Sequence, residues 1–117
     1  MKLYGVRIFV DDFAAARAFY IDTLGLPVTW EMAEHGAMGV GVGGAELIVE
    51  AVPADSEDRG LVGRFVGVSL QVDDIAATYA DLAARGVPFD GPPDKQFWGG
   101  SLAHFRDPAG NILTLLG

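Results

Sequence analysis

The chain has 117 residues, 50% of them hydrophobic, with 16 acidic against 8 basic side chains and a net charge of −8. That length predicts one domain with a real core, and an acidic surface repels phosphate backbones, so no nucleic-acid partner is expected. The absence of cysteine excludes disulfides, thiolate metal sites and cysteine nucleophiles, and it accords with a reducing cytoplasm.

The first stretch, LYGVRIFV, is short, contains Arg7 and runs into Asp11 and Asp12, which resembles neither a signal peptide nor a membrane span. It alternates as a strand, with Val6, Ile8 and Val10 on one face. The triplet VDD closes it, and the same triplet recurs from Val72, 62 positions later, after Val68, Leu70 and Val72 on an equivalent face. The aspartates then serve as helix N-caps. Phe13, Ala16, Tyr20 and Leu24 keep helical spacing, as do Ile75, Tyr79 and Leu82. Both helices end at a glycine with a proline two residues on, Gly25 then Pro27 and Gly86 then Pro88. The offset there is 61, so the first copy holds one extra residue.

Three strands are expected after each helix. In the first half they are PVTWEMAEH, AMGVGV and AELIVEAV, with turns at Gly36 and at Gly43-Gly44. In the second half they are PFDGPPDK, WGGSLAHFR and NILTLLG, with a turn from Asp107 to Gly110. Each half therefore reads β-α-β-β-β, giving an α+β domain over residues 1–117: one module over 1–52, a polar linker over 53–64, and a second module over 65–117. One such unit leaves a sheet face uncovered, so two must pack together, within one chain or across a dimer.

The strand faces opposite the valine rows carry Gly5, Arg7 and Phe9 in one copy and Gly67, Ser69 and Gln71 in the other, a mixture suited to lining a cavity. A two-residue hairpin at Gly43-Gly44 pairs Gly41 with Glu46 and Gly39 with Ile48. These glycines either let the sheet coil strongly or make space for a ligand.

Paired β-α-β-β-β units, FYIDTLGLPV after the first helix and DPAGNILTLL before the last strand together resemble the vicinal oxygen chelate superfamily of glyoxalases, extradiol dioxygenases and bleomycin-binding proteins. The resemblance covers almost the whole chain. It implies a cup-shaped mixed β-sheet with helices outside, and a homodimer. The fold hosts many chemistries, so it does not fix the reaction. In the enzymes of that superfamily it implies a divalent metal held by His in the first strand and Glu in the last strand of each unit. The matching slots here are Gly5, Gly67 and Thr114, and only Glu46 offers a donor. One carboxylate cannot hold a catalytic metal, so no metal and no cofactor is expected.

The remaining candidates are few. His104 falls where the resemblance implies a cup-facing residue, and with Glu46 it could form an acid–base pair; the alternative is a surface strand histidine. His35, beside the turn at Gly36, is read as solvent-exposed. Trp98 beside Gly99-Gly100 falls where the resemblance implies the pocket border, while Trp30 reads better as core. Arg7 could meet an anionic ligand or pair with Glu46 or Glu50. Arg7, Phe9, Ser69, Gln71, Trp98 and Thr114 are thus the candidate ligand contacts. No phosphate-cradling loop and no nucleophile elbow is present. The leading reading is a metal-independent protein that binds or sequesters a flat or aromatic small molecule. The alternatives are an enzyme (lyase, isomerase or dioxygenase type) using Glu46 and His104 or displaced metal ligands, and an interaction module with a vestigial cup.

Overall fold

A computed structural model describes residues 1–117. In chain order it has β1 (Gly5–Val10), α1 (Phe13–Arg17) continuing as a π-helical segment (Ala18–Thr23), β2 (Val28–Met32), a 3-10 turn (Ala33–His35), β3 (Ala37–Val42) and β4 (Ala45–Ala51). A second 3-10 turn (Glu57–Leu61) leads to β5 (Phe65–Gln71), α2 (Ile75–Ala84), β6 (Asp94–Lys95), β7 (Ser101–Arg106) and β8 (Ile112–Leu116). The strands form two four-stranded mixed sheets, ordered β1-β4-β3-β2 and β5-β8-β7-β6. The β-α-β-β-β repeat is therefore present twice. Each copy forms its own sheet, with β1 and β2 at the edges of the first and β5 and β6 at the edges of the second.

The second aspartate of each VDD caps its helix: Asp12 Oδ1 accepts from Ala15 N at 3.1 Å and Asp74 Oδ1 from Ala77 N at 3.0 Å. The extra residue of the first copy is absorbed in the π-helical segment, where Leu24 N bonds back to Phe19 O at 2.9 Å. A one-residue insertion into an α-helix is commonly accommodated this way.

The first valine row supplies Ile8 and Val10 to the core, whereas Val6 and the whole second row, Val68, Leu70 and Val72, are only half-buried. Ile8, Val10, Met38, Val40, Val49 and Leu113 are all fully buried, each worth about 1.5–3 kcal/mol of apolar transfer. The first helix also reaches the second sheet, with Phe19 and Phe105 rings 6.3 Å apart, so one core cluster holds residues of both halves.

A buried polar knot sets the turn before β8. Asp107 Oδ1 accepts from Ala109 N and Asn111 N, both at 2.9 Å, and its Oδ2 accepts from Tyr20 Oη at 2.8 Å and Asn111 Nδ2 at 3.0 Å. Asn111 Nδ2 also donates to Phe9 O at 2.8 Å, and Asn111 Oδ1 accepts from Gly63 N and Arg64 N. Every side-chain polar atom of Tyr20, Asp107 and Asn111 is paired, as burial at this depth requires.

Three expected strands differ from the structure. PVTWEMAEH ends as a strand at Met32, and Ala33–His35 turn as a 3-10 segment. PFDGPPDK forms only the two-residue β6 and an isolated Phe89–Phe105 bridge, because Pro88, Pro92 and Pro93 have no N–H to give a ladder. Trp98 to Gly100 form a turn rather than the start of a strand, closed by Gln96 N to Gly100 O at 2.7 Å, and β7 begins at Ser101.

Candidate functional site

The faces opposite the core are carried separately by the two sheets. On the first, the register sets Gly5 beside Glu46, Arg7 beside Ile48 and Phe9 beside Glu50, with Gly41, Gly39 and Ala37 next across β3. The Gly41–Glu46 and Gly39–Ile48 pairs are those expected of the Gly43-Gly44 hairpin, whose glycines have φ of 52° and 88°. On the second, Ser69 pairs with Thr114, Gln71 with Leu116, and Thr114 with His104.

Glu46 is the most heavily engaged polar residue of the first face. Thr29 Oγ1 donates to its Oε1 at 2.7 Å and Trp30 Nε1 to its Oε2 at 2.9 Å. The Thr29 hydroxyl, then the Trp30 indole N–H, hold the Glu46 carboxyl below its ordinary pKa. Tyr4 stands beside the same group, and hydrogen bonding to Glu46 raises its phenol above the ordinary value. An ionised carboxylate with both oxygens engaged is a poor general base.

The glycines of β3 are explained by the same cluster. A Cβ on Gly39 would run into Trp30 Nε1, and one on Gly41 would lie 3.1 Å from the Thr29 methyl. The space above these glycines is filled by Thr29 and Trp30, which corrects the expectation of a glycine-widened cup on this face. Trp30, read from sequence as core, is instead half-buried on the outer face of an edge strand.

Arg7 makes a bidentate ion pair with Glu50, Nε to Oε1 at 2.6 Å and Nη2 to Oε2 at 2.9 Å, while its guanidinium sits 5.1 Å over the Phe9 ring. Of the two expectations for Arg7, the ion pair is the one formed. Phe9 is buried beneath it.

On the second face, His104 Nδ1 lies 2.8 Å from Thr114 Oγ1, and its ring meets Phe65 edge-on at 6.0 Å. Thr114 is buried and His104 half-buried. No hydrogen bond or ion pair joins His104 to Glu46; they stand on different sheets. Ser69 and Gln71 are exposed along β5. Trp98 is half-exposed with its ring over Gly100, and Phe97 beside it is 99% exposed. His35 ends the first 3-10 turn on the surface.

The slots that hold metal donors in related enzymes do not fit a divalent ion here. Gly5 has no donor, and a Cβ there would lie 2.7 Å from the Glu46 carbonyl oxygen. Gly67 sits where the β5–β8 register shifts, at φ 81°, a conformation L side chains rarely adopt. The two sheets share one register up to this bulge, Arg7 with Ile48 as Ser69 with Thr114. Thr114 therefore corresponds to Ile48 and Glu46 to Ile112, which pairs with Phe65 instead of Gly67. Thr114 bonds His104, and Glu46 is occupied by its neighbours.

Three open clefts lie near these strands, one on the first outer face and two along the half-buried valine rows. One of about 370 Å³ is walled by Thr29, Glu46 and the Gly43-Gly44 turn. Another, of about 330 Å³, runs between β1 and β5 past Val6, Leu47, Val66 and Val68, with Glu46 at its rim. The third, about 270 Å³, shares Val42 and Leu70 with it and continues to Leu24, Leu82 and Phe105.

Sequence reading missed Trp30, Thr29, Tyr4 and Phe65 as parts of these faces. The available signal for Trp30 and Thr29 was the Gly39 and Gly41 pair, because bare positions in a central strand mark the close approach of something else.

Two four-stranded mixed sheets from a doubled β-α-β-β-β unit, joined through the DPxGN knot, define an α+β fold class that hosts many chemistries. The chain belongs to the Glyoxalase/Bleomycin resistance protein/Dioxygenase superfamily, which it matches over residues 3–115. It is 35% identical to the uncharacterized protein YraH of Bacillus subtilis (strain 168), over 98% of this chain and 97% of that one. The crystal structure of UcmS2 superposes with a TM-score of 0.85 at 33% identity, covering 99% of this chain and 97% of that one. The crystal structure of TnmS3, an antibiotic binding protein from Streptomyces sp. CB03234, superposes with a TM-score of 0.76 at 31% identity, covering 98% and 93%.

Proposed function

We propose that this chain is a metal-independent binding protein that holds a flat or aromatic small molecule against its outer sheet faces. The observation that carries the reading is the state of the four donor slots: two glycines, a threonine committed to His104, and a glutamate whose oxygens are both taken. A binder needs no reactive centre, and aromatic side chains near each face (Trp30 on one, Phe65 on the other) supply area for stacking. Similarity to an antibiotic binding protein supports the same direction.

The active form we propose is a cytoplasmic homodimer. The edges of β1 and β5 are unpaired over most of their length, and Leu3, Tyr4, Phe65 and Phe97 are exposed. A second copy could set a first-module face against a second-module face, making a closed cup from two open halves.

One observation favours an enzymatic second reading. His104 is tethered through Nδ1, leaving Nε2 for a ligand, as a general acid or base would require. His104 would then act without Glu46, whose oxygens are both engaged by Thr29 and Trp30. A thermal-shift screen of planar aromatic compounds and antibiotics, with product analysis of each hit, separates the two. Stabilisation without turnover supports binding, and turnover lost in His104→Ala supports the enzyme.

A further inference from the structure

We propose that Glu46 is a positioning residue, which fixes the Trp30 indole as the ligand-facing wall of the first sheet. Its purpose rests on the binding reading above; the clamp itself stands on geometry. Trp30 lies on β2, the outermost strand of its sheet, among exposed Val28, Thr29, Glu31 and Met32. A large side chain at such an edge has few neighbours to hold its rotamer, and two contacts do so here.

From below, the five-membered ring rests on Gly39, where any Cβ would meet Nε1 and Cδ1. From the side, Nε1–H donates to Glu46 Oε2 at 2.9 Å. Glu46 is two strands away on β4, so its carboxylate must cross β3 to reach the indole. It can cross because Gly41, its register partner, and Gly39 present no side chains. Thr29 Oγ1, at 2.7 Å from Oε1, fixes the remaining rotation of the carboxylate.

The carboxylate that the sequence resemblance matched to a metal-ligand slot thus has a different task here. Its charge engages an indole N–H and a hydroxyl, and the result is an oriented aromatic group next along β2 from Thr29, which with Glu46 lines the neighbouring cleft. A preset wall lowers the ordering cost of binding a planar ligand.

The test follows the two indole Nε1–H resonances in a proton–nitrogen spectrum, assigned with Trp98→Phe. Glu46→Leu should move the Trp30 resonance upfield and increase its quenching by acrylamide, while the Trp98 resonance and the far-ultraviolet circular dichroism stay put. Glu46→Gln, which keeps one carbonyl acceptor, should restore most of the native shift. Gly39→Ala leaves Glu46 intact and should displace the same indole from below, so the proposal is testable even if Glu46→Leu fails to fold. Unchanged Trp30 resonance and quenching in folded Glu46→Leu or Gly39→Ala protein would overturn the proposal. Adding 2-naphthol as a planar probe tests its purpose separately. Perturbation of Trp30 in the native protein, weakened in Glu46→Leu, supports the ligand-facing wall. No perturbation of either protein would overturn that purpose and leave the clamp.

Discussion

The Tyr20 hydroxyl donates a 2.8 Å hydrogen bond to Asp107 Oδ2, linking the FYxxxLGL stretch of the first half to the DPxGN stretch of the second. The two stretches that identify the family are therefore one contact in space, holding the first helix to the turn before β8. Tyr20→Phe should lower stability by about 1.5–3 kcal/mol, the cost of losing a buried hydrogen bond to a charged acceptor, and urea unfolding checks it. Burial first, and then the Asp107 charge, raise the Tyr20 phenol. The folded state thus keeps a proton that the unfolded chain releases near the ordinary phenol value. Stability should accordingly fall as pH rises above that value, and less so in Tyr20→Phe.

The fold was legible because its signals are local. Val6, Ile8 and Val10 alternate, Asp12 and Asp74 sit at helix starts, and Gly43-Gly44 admits a two-residue turn with its register. The site was less legible because its contacts are not local. Trp30 meets Glu46 across an intervening strand, and His104 meets Thr114 across a ladder. Nothing in the residues around Trp30 distinguishes a core tryptophan from one on an outer face. The π-helical segment was visible only as a one-residue change in the repeat offset.

The positions matched to metal slots of related enzymes should not become a metal site by substitution. In Gly5→His with Gly67→His and Thr114→Glu, the first side chain meets the Glu46 carbonyl oxygen and the second is forced into positive φ. Thr114→Glu also breaks the tether to His104. Calorimetric titration with Zn or Ni is expected to show no stoichiometric binding, together with a lowered melting temperature. A tightly bound ion in a folded triple variant would mean that these positions converge.

Glu46 gives a pH dependence of definite sign. Its folded-state pKa is depressed, chiefly by Thr29 and then Trp30, so its contribution is present above the ordinary carboxylate value and is lost as pH falls through the folded one. The Trp30 indole resonance should titrate in that acid range, and Glu46→Gln should abolish the titration. A resonance that ignores acidification would place the indole outside the carboxylate's control.

Self-association should be measurable at micromolar concentration. Sedimentation is expected to give twice the 12.4 kDa of one chain, and an acidic residue in place of Phe65 should weaken the dimer while leaving the isolated fold intact. A clean monomer would remove the proposed pairing of faces.

The most direct measurement is ligand stabilisation with and without a chelator. Protein treated with EDTA is heated with each member of a planar aromatic and antibiotic panel. A hit near a hundred times its dissociation constant should add about 2.7 kcal/mol of stability, equally in treated and untreated protein, with the ligand recovered unchanged. Stabilisation that vanishes on chelation and returns with Zn, Ni or Mn, or a ligand recovered as product, would contradict a metal-independent binding protein.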